Sequence, residues 1–292
     1  MITERKRSDW FIEVGDDFVA RGERVAFQGE PGAYSEMATI QYFRNSNLVP
    51  LKSLQDVFDG LSHGDVDFGV VPIENSIEGS VNETYDLLLD TRFVVSGEIY
   101  LRVRHCLIVN KGGGSNIRSV YSHPQALAQC RRYLQERKLA AVAAYDTAGA
   151  VKMIKQKQNM EVAAIASSRA AELYDMHILE EGIEDNKNNF TRFLIISKTR
   201  TKSTGHDGTS MIFSVKHIPG ALYSILEEFA NRKINLTKIE SRPKKEKPWE
   251  YNFYVDFEGH IDNKIIKEAV ESIKKKAAFI KILGSYERAE FL

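Results

Sequence analysis

Apolar and polar positions repeat along this chain in two rhythms, and the change near residue 208 divides it. From Arg24, RVAFQ reads as a strand, GEPG as a turn and AYSEMATIQYF as a helix, while Ser53 and Asp56 suit the start of a second helix running to His63. FGVVP is a short apolar run of the kind buried strands show, IENSIEGS a loop and VNETYDLLLD a helix. Such alternation predicts parallel sheet joined by crossover helices, an α/β architecture. The extended segment FVVSGEIYLRVRHCLIVN ends at the loop KGGGSN, and a second series follows: IRSVYS as strand, PQALAQCRRYLQERK as a helix with Pro124 in its first turn, AAVAAYD as strand, AGAVKMIKQKQ as helix, VAAIAS as strand and SRAAELY as helix. Polar EGIEDNKNN then leads to the strand TRFLIISK. A polar crossing of this kind predicts two lobes, with NNFTRF at a hinge facing the cleft.

Lys198 to Gly208, KTRTKSTGHDG, has no apolar periodicity and reads as a linker. Beyond it TSMIFSVKH is a strand, PGALYSILEEFANRK a helix with Leu222, Ile225, Leu226 and Phe229 on one face, and INLTKIESRP and EYNFYVDFEG are strands. A helix capped by Asp262 and the strand FIKILGSY close the chain. The order βαββαβ predicts a split βαβ, ferredoxin-like domain.

Composition narrows the possible chemistry. Forty basic and forty acidic residues cancel over 292 positions, so no global field favours nucleic acid or an anionic membrane surface. No apolar run approaches the roughly 20 residues of a membrane span, and MITERKRSDW has no hydrophobic signal region behind its charges, so the expected location is the cytoplasm. Cys106 and Cys130 lack disulfide or zinc spacing and read as core residues of a reducing compartment. Trp10, Phe11, Val14 and Phe18 are compatible with a short amphipathic helix before Arg24.

Three polar clusters fall at strand ends and helix starts, where open α/β sheets bind ligands. VVPIENSIEG supplies Glu74, Asn75 and Ser76. SHPQALAQC supplies Ser122, at a helix start where free amides attract anions, and Gln129 two turns on. YDTAGA supplies Thr147, a cap or a ligand donor. Each cluster is equally explained by an ordinary turn or cap. KGGGSN lacks the Lys-Ser/Thr pair of a phosphate loop, the His and Cys spacings suit no metal, and Ser76 has no nucleophile-elbow context. Together with Thr191 and Arg192, the clusters suit an anionic organic substrate held by hydrogen bonds, with no metal or cofactor implied.

In combination, FQGEPGAYSE, VVPIENSIEGSV, HCLIV, SHPQALAQC, DTAGAV, AAIASSRAAELY, NNFTRFLIIS, PGALY and IESRP resemble the prephenate dehydratases that carry a C-terminal ACT regulatory domain, from about Arg24 to the end. The resemblance implies a two-lobed catalytic domain like type II periplasmic binding proteins, over 24–200 with its second lobe at roughly 104–182. An extension over 1–23, a linker over 201–208 and an ACT domain over 209–292 complete the expected organisation. It implies decarboxylating dehydration of prephenate to phenylpyruvate, with Thr191, Glu74, Asn75 and Arg192 as catalytic residues and Ser76, Ser122, Gln129, Thr147 and Phe193 binding substrate. Thr191 would donate to the departing hydroxyl, Glu74 supply a proton and Arg192 pair with a carboxylate. Gly220, Ala221 and Leu222 with Glu240, Ser241, Arg242 and Pro243 would bind phenylalanine at a subunit interface of a homodimer or homotetramer. Residues 1–23 are too few for the chorismate mutase domain of bifunctional relatives. Two other readings stand beside this one: arogenate dehydratase, which shares nearly every motif, and a non-catalytic sensor of small acids.

Overall fold

The computed structural model describes residues 22–245 and 247–290, so the apolar positions between Trp10 and Phe18 lie outside the described residues. Its elements, in chain order, begin with β1 (Arg24–Gln28), α1 (Tyr34–Tyr42), β2 (Asn47–Leu51), α2 (Leu54–His63) and β3 (Phe68–Asn75). Next come β4 (Gly79–Ser80), α3 (Asn82–Asp90), β5 (Val94–Arg102), β6 (Cys106–Val109), β7 (Ser119–Ser122), α4 (Pro124–Gln129) and α5 (Arg131–Glu136). They are followed by β8 (Ala140–Ala143), α6 (Thr147–Lys157), β9 (Val162–Ala166), α7 (Ser168–Leu173), β10 (His177–Glu181) and β11 (Phe190–Ser197). The last series is β12 (Asp207–Ser214), α8 (Ala221–Asn231), β13 (Leu236–Pro243), β14 (Tyr251–Glu258), α9 (Lys264–Lys276) and β15 (Phe279–Glu287), the expected βαββαβ order.

These elements form two compact units. The first takes residues up to Val70 together with 101–190, and the second takes 71–100 with 191–292, so the division runs through strand β3. In the first unit β1 is flanked in parallel by β2 and by the start of β3. Strand β2 was not among the expected elements; Pro50 is tolerated there because β2 stands at the end of the strand order. The same unit holds a five-stranded sheet ordered β10-β6-β9-β7-β8, with β7, β8 and β9 parallel and β6 and β10 antiparallel. Central β9, VAAIA, is buried at every position, as a strand covered on both faces requires. The long helix expected after Pro124 breaks at Cys130, whose φ of −114° and ψ of 23° leave the helical region, giving α4 and α5. Helix α2 begins as expected, with Ser53 and Asp56 bonding reciprocally to each other's backbone.

In the second unit the remainder of β3 lies beside β11 and β11 beside β5, while β4 turns back on β3 as a hairpin. The four-stranded sheet of the C-terminal domain runs β13-β14-β12-β15. Helices α8 and α9 cover one of its faces, burying Met211, Phe213, Ile225, Phe229, Val255, Phe257, Val270 and Ile273. Asn263 caps α9, one residue beyond the expected Asp262, by accepting from the Ile265 N–H. Helix α3 is tied to the sheet's other face: the Tyr254 hydroxyl donates to the Tyr85 carbonyl at 3.1 Å, and Lys281 donates to the carbonyls of Leu88 and Leu89 at 2.9 and 2.8 Å and to that of Thr91. A lysine there satisfies carbonyls that the end of a helix leaves open. The approach is close enough that a Cβ at Gly284 would stand 2.0 Å from the Val95 carbonyl oxygen, so only glycine fits. Cys106 and Cys130 are free and buried, and burial pushes the Cys106 thiol up to about 12.

Candidate active site

Strand β3 does not stop before the polar loop as expected. It carries Glu74 and Asn75 into the hairpin, where they pair with Ser80 and Gly79. The turn between the strands is set by Asn75, whose Oδ1 accepts from the N–H groups of Ile77 and Glu78, each at 3.0 Å. Such a side chain replaces a backbone acceptor and fixes the turn. With Oδ1 so engaged, the orientation of the amide is decided, and its Nδ2 donates to Thr191 Oγ1 at 3.0 Å. Asn75 is buried, Thr191 half-buried, and exposed Ser76 sits in the turn. Phe193 shares the parity of Thr191 on β11 and is 3% exposed.

Neighbours along a strand point to opposite faces, and this separates residues that the sequence reading grouped. Arg192 turns away from Thr191 into a buried network. Its Nε and NH2 reach Glu98 Oε2 at 2.7 Å, NH1 reaches Asp256 Oδ2 at 2.5 Å and NH2 donates to the Tyr286 hydroxyl at 3.0 Å. Ser210 completes it, lying 2.6 Å from both Asp256 Oδ1 and the Tyr286 hydroxyl. Burial alone would lower the Arg192 pKa, but Asp256, Tyr286 and Glu98 outweigh it and hold the guanidinium charged. Burial raises Glu98 against the pull of Arg192, and it pushes Tyr100 up to about 12. The fork expected to grip a substrate carboxylate is thus already spent on two carboxylates of the protein.

Glu74 likewise faces away from Asn75. Its Oε2 meets Lys238 Nζ of β13 at 2.5 Å, so the carboxyl expected to supply a proton is ion-paired to the C-terminal sheet. Lys238 also lies 5.3 Å from the centre of the Tyr85 ring, which packs edge-on against Tyr254. Period two applied to TRF and EN would have separated these residues in advance; only the partners were beyond reach.

Of the residues expected in the first unit, Ser122 is fully buried and donates to the Ile165 carbonyl at 2.6 Å. It ends β7, and the cap of α4 is instead His123, whose Nδ1 accepts from the Gln125 N–H at 3.3 Å. Gln129 Oε1 accepts from Asn189 Nδ2 and faces His105 Nε2, both at 2.9 Å. Since an amide oxygen only accepts, that nitrogen carries the proton. Nδ1 then accepts from the Tyr34 hydroxyl at 2.8 Å, a proton shared with the Arg104 carbonyl at 3.0 Å. Burial, opposed by Gln129 and Glu184, lowers the His105 pKa and keeps the ring neutral. Sequence reading weighed His105 only as a metal ligand, whose spacing it does not fit, and gave it no place in a hydrogen-bonded chain. Thr147 opens α6 half-buried, and Asp146 is its cap, accepting from the Gly149 N–H at 2.8 Å. Burial raises the Asp146 carboxyl against the amides of Gly149 and Ala148.

The residues expected to bind an effector divide between a turn and a strand. Gly220, with φ of 78°, precedes Ala221 and Leu222 at the start of α8. Glu240, Ser241, Arg242 and Pro243 finish edge strand β13 with alternate burial, Glu240 and Arg242 half-buried and Ser241 and Pro243 exposed. Arg242 bonds to Asn82 and to Asp86 of α3, the latter at 3.1 Å. Among the described residues no cluster of three or more His, Cys, Asp or Glu could hold a metal, and no helix is long and apolar enough to cross a membrane.

The described chain is thus an α/β body carrying hydroxyl and amide donors, followed in sequence by a ferredoxin-like domain. Residues 25–201 match the model of the prephenate dehydratase family and residues 209–275 that of the ACT domain. A Pseudomonas aeruginosa protein named bifunctional chorismate mutase/prephenate dehydratase is 42% identical over 270 residues, 91% of this chain and 73% of that protein. Arogenate dehydratase/prephenate dehydratase 2 of Arabidopsis thaliana is 41% identical over 275 residues, 90% of this chain and 72% of that one. Among solved structures, one described as GqqA, a novel type of quorum quenching acylase, has a TM-score of 0.85 at 32% identity, covering 91% of this chain and 98% of its own. The prephenate dehydratase of Arthrobacter aurescens in complex with L-Phe has a TM-score of 0.84 at 29% identity, covering 91% and 90%. The chain belongs to the prephenate dehydratase family and carries an ACT domain at its C-terminal end.

Proposed function

We propose that this protein converts prephenate to phenylpyruvate, with Thr191 as the hydrogen-bond donor to the departing ring hydroxyl and Asn75 as the group that aims it. The electron pair of the bond to the ring carboxylate moves into the ring as carbon dioxide leaves, and the hydroxyl departs from the opposite carbon. Aromatisation drives both losses. The enzyme's task is to stabilise the charge that develops on the leaving oxygen, and preorganised donors are often the largest contribution to such catalysis. The observation that carries this reading is the Asn75 to Thr191 bond. Because Thr191 Oγ1 accepts from Asn75, its own proton points away from Asn75, and because Asn75 is locked by the Ile77 and Glu78 amides, that constraint is in place before substrate arrives.

Phe193 would contribute apolar wall beside Thr191 and Ser76 a hydroxyl at the turn, while Gln129, engaged by Asn189 and His105 within the first unit, is assigned to support. Ser122, with its proton committed to Ile165, is assigned to support rather than binding. Glu74 and Arg192 are assigned positions behind the site. Phenylalanine is the proposed feedback effector, bound by Gly220, Ala221 and Leu222 with Glu240, Ser241, Arg242 and Pro243 where ACT domains of a cytoplasmic dimer or tetramer meet. The L-Phe complex of a family member supports this.

Purified protein assayed with prephenate should form phenylpyruvate, and Thr191→Val should lose about 10² to 10⁴ in kcat with its fold intact, while Thr191→Ser keeps most of it. Full turnover by a folded Thr191→Val would end this assignment. A second reading, arogenate as substrate, is favoured by the dual name of the Arabidopsis relative, and the same assay run with arogenate separates the two.

A further inference from the structure

We propose that Lys238 is a positioning residue for the Asn75 and Thr191 pair, acting through Glu74, and that it is the point at which the effector-binding strand acts on the catalytic hairpin. The inference rests on the catalytic and regulatory roles assigned above.

Four observations of the second unit carry it. On β13, Lys238, Glu240 and Arg242 are half-buried while the residues between them are exposed, so one strand face carries both the lysine and two residues of the effector motif. That face grips one continuous stretch at two points: Lys238 holds Glu74 at 2.5 Å, and Arg242 holds Asn82 and Asp86. Tyr85 lies beneath both cations, 5.3 Å from Lys238 and 5.9 Å from Arg242, so neither can shift without disturbing the same ring. Finally, Glu74 and Asn75 are consecutive in β3, one on each face, so a displacement of the Glu74 carboxylate is delivered to the amide that orients Thr191.

The stretch between the two grips is short and tied to itself. Val81 N–H returns to the Ile73 carbonyl at 2.9 Å and the Thr84 hydroxyl to the Pro72 carbonyl at 2.6 Å, so hairpin and helix start move as one body. An effector that binds two positions of β13 with different affinity would thereby bias the aim of Thr191, which is what coupling between two sites requires.

The test measures hydrogen exchange at the amides of Ile77 and Glu78, which report the hairpin directly, together with kcat and KM on prephenate with and without phenylalanine. Lys238→Met and Glu74→Gln are each expected to speed exchange at these two amides by about tenfold, leaving the first unit unchanged, and to lower kcat more than KM. Lys238→Met is also expected to bind phenylalanine while losing most of the inhibition, whereas Lys238→Arg keeps it and the exchanged pair Lys238→Glu with Glu74→Lys recovers slow exchange. Unaltered exchange at Ile77 and Glu78 in Lys238→Met, or failure of the exchanged pair to recover it, overturns the proposal. A wild-type protein inactive on prephenate would overturn the catalytic reading instead, and the exchange measurement would still decide this one.

Discussion

Two polar groups, one in each unit, contrast in what they leave over. In the first unit, Tyr34, His105, Gln129 and Asn189 form a partly buried chain in which donors meet acceptors within the protein, and Ser122 gives its proton to Ile165. In the second, Asn75 is locked by two amides and its Nδ2 donates to Thr191 Oγ1, whose own proton no described residue accepts. The two groups use similar side chains. On the proposed reading, what separates structural from chemical use is whether the last hydroxyl proton has a partner inside the fold.

The largest effect should come from the group with a proton to offer. On the proposed reading Asn75→Ala should lower kcat by about 10² with a smaller effect on unfolding, because the Ile77 and Glu78 amides it frees belong to exposed residues, read by steady-state kinetics beside thermal melting. The contrast would break if Asn75→Ala lost stability and kept its rate. Next is the network on the opposite face of β11. Arg192→Met strands two carboxylates, Glu98 and Asp256, and should cost about 3 to 5 kcal/mol by denaturant titration, with part regained in Arg192→Met/Glu98→Gln. Ser122→Ala leaves a buried carbonyl unpaired and should cost about 1 to 3 kcal/mol while kcat changes little, the inverse of Asn75→Ala.

The smallest effect concerns pH. His105 titrates below its ordinary 6.5 in the folded protein, so between the two values the unfolded chain binds a proton that the folded chain refuses. Stability is then fully present above 6.5 and declines as pH falls through that value. Melting temperatures between about pH 7.5 and 5.5 should decline more steeply for the wild type than for His105→Gln. Equal slopes would mean that the ring is not held neutral.

Much of the fold could be read from the chain, because it depends on local rules. Ser53 and Asp56 announce a capping box, the apolar stripe Leu222, Ile225 and Phe229 announces α8, and the βαββαβ order follows from periodicity alone. Strand β2 was not read from the chain; its Pro50 is compatible with a strand at an edge, and an edge position exists only in the assembled sheet. The break at Cys130 has no glycine or interior proline to mark it.

Residue types at the candidate site were legible in the same sense: hydroxyls, amides and the motif TRF point to a small anionic substrate by their chemistry alone. Sequence by itself determined most of the elements, their order and the resemblance to the family, since these follow from short-range periodicity and from motifs a few residues long. Only the tertiary structure decided which side chains act together. Glu98, Tyr286 and Asp256 are 94, 94 and 64 residues from Arg192, and Lys238 is 164 from Glu74. No local rule selects a partner across such distances, because pairing is set by which strand faces meet after folding, and there Thr191 and Arg192, adjacent in the chain, end up serving opposite sides.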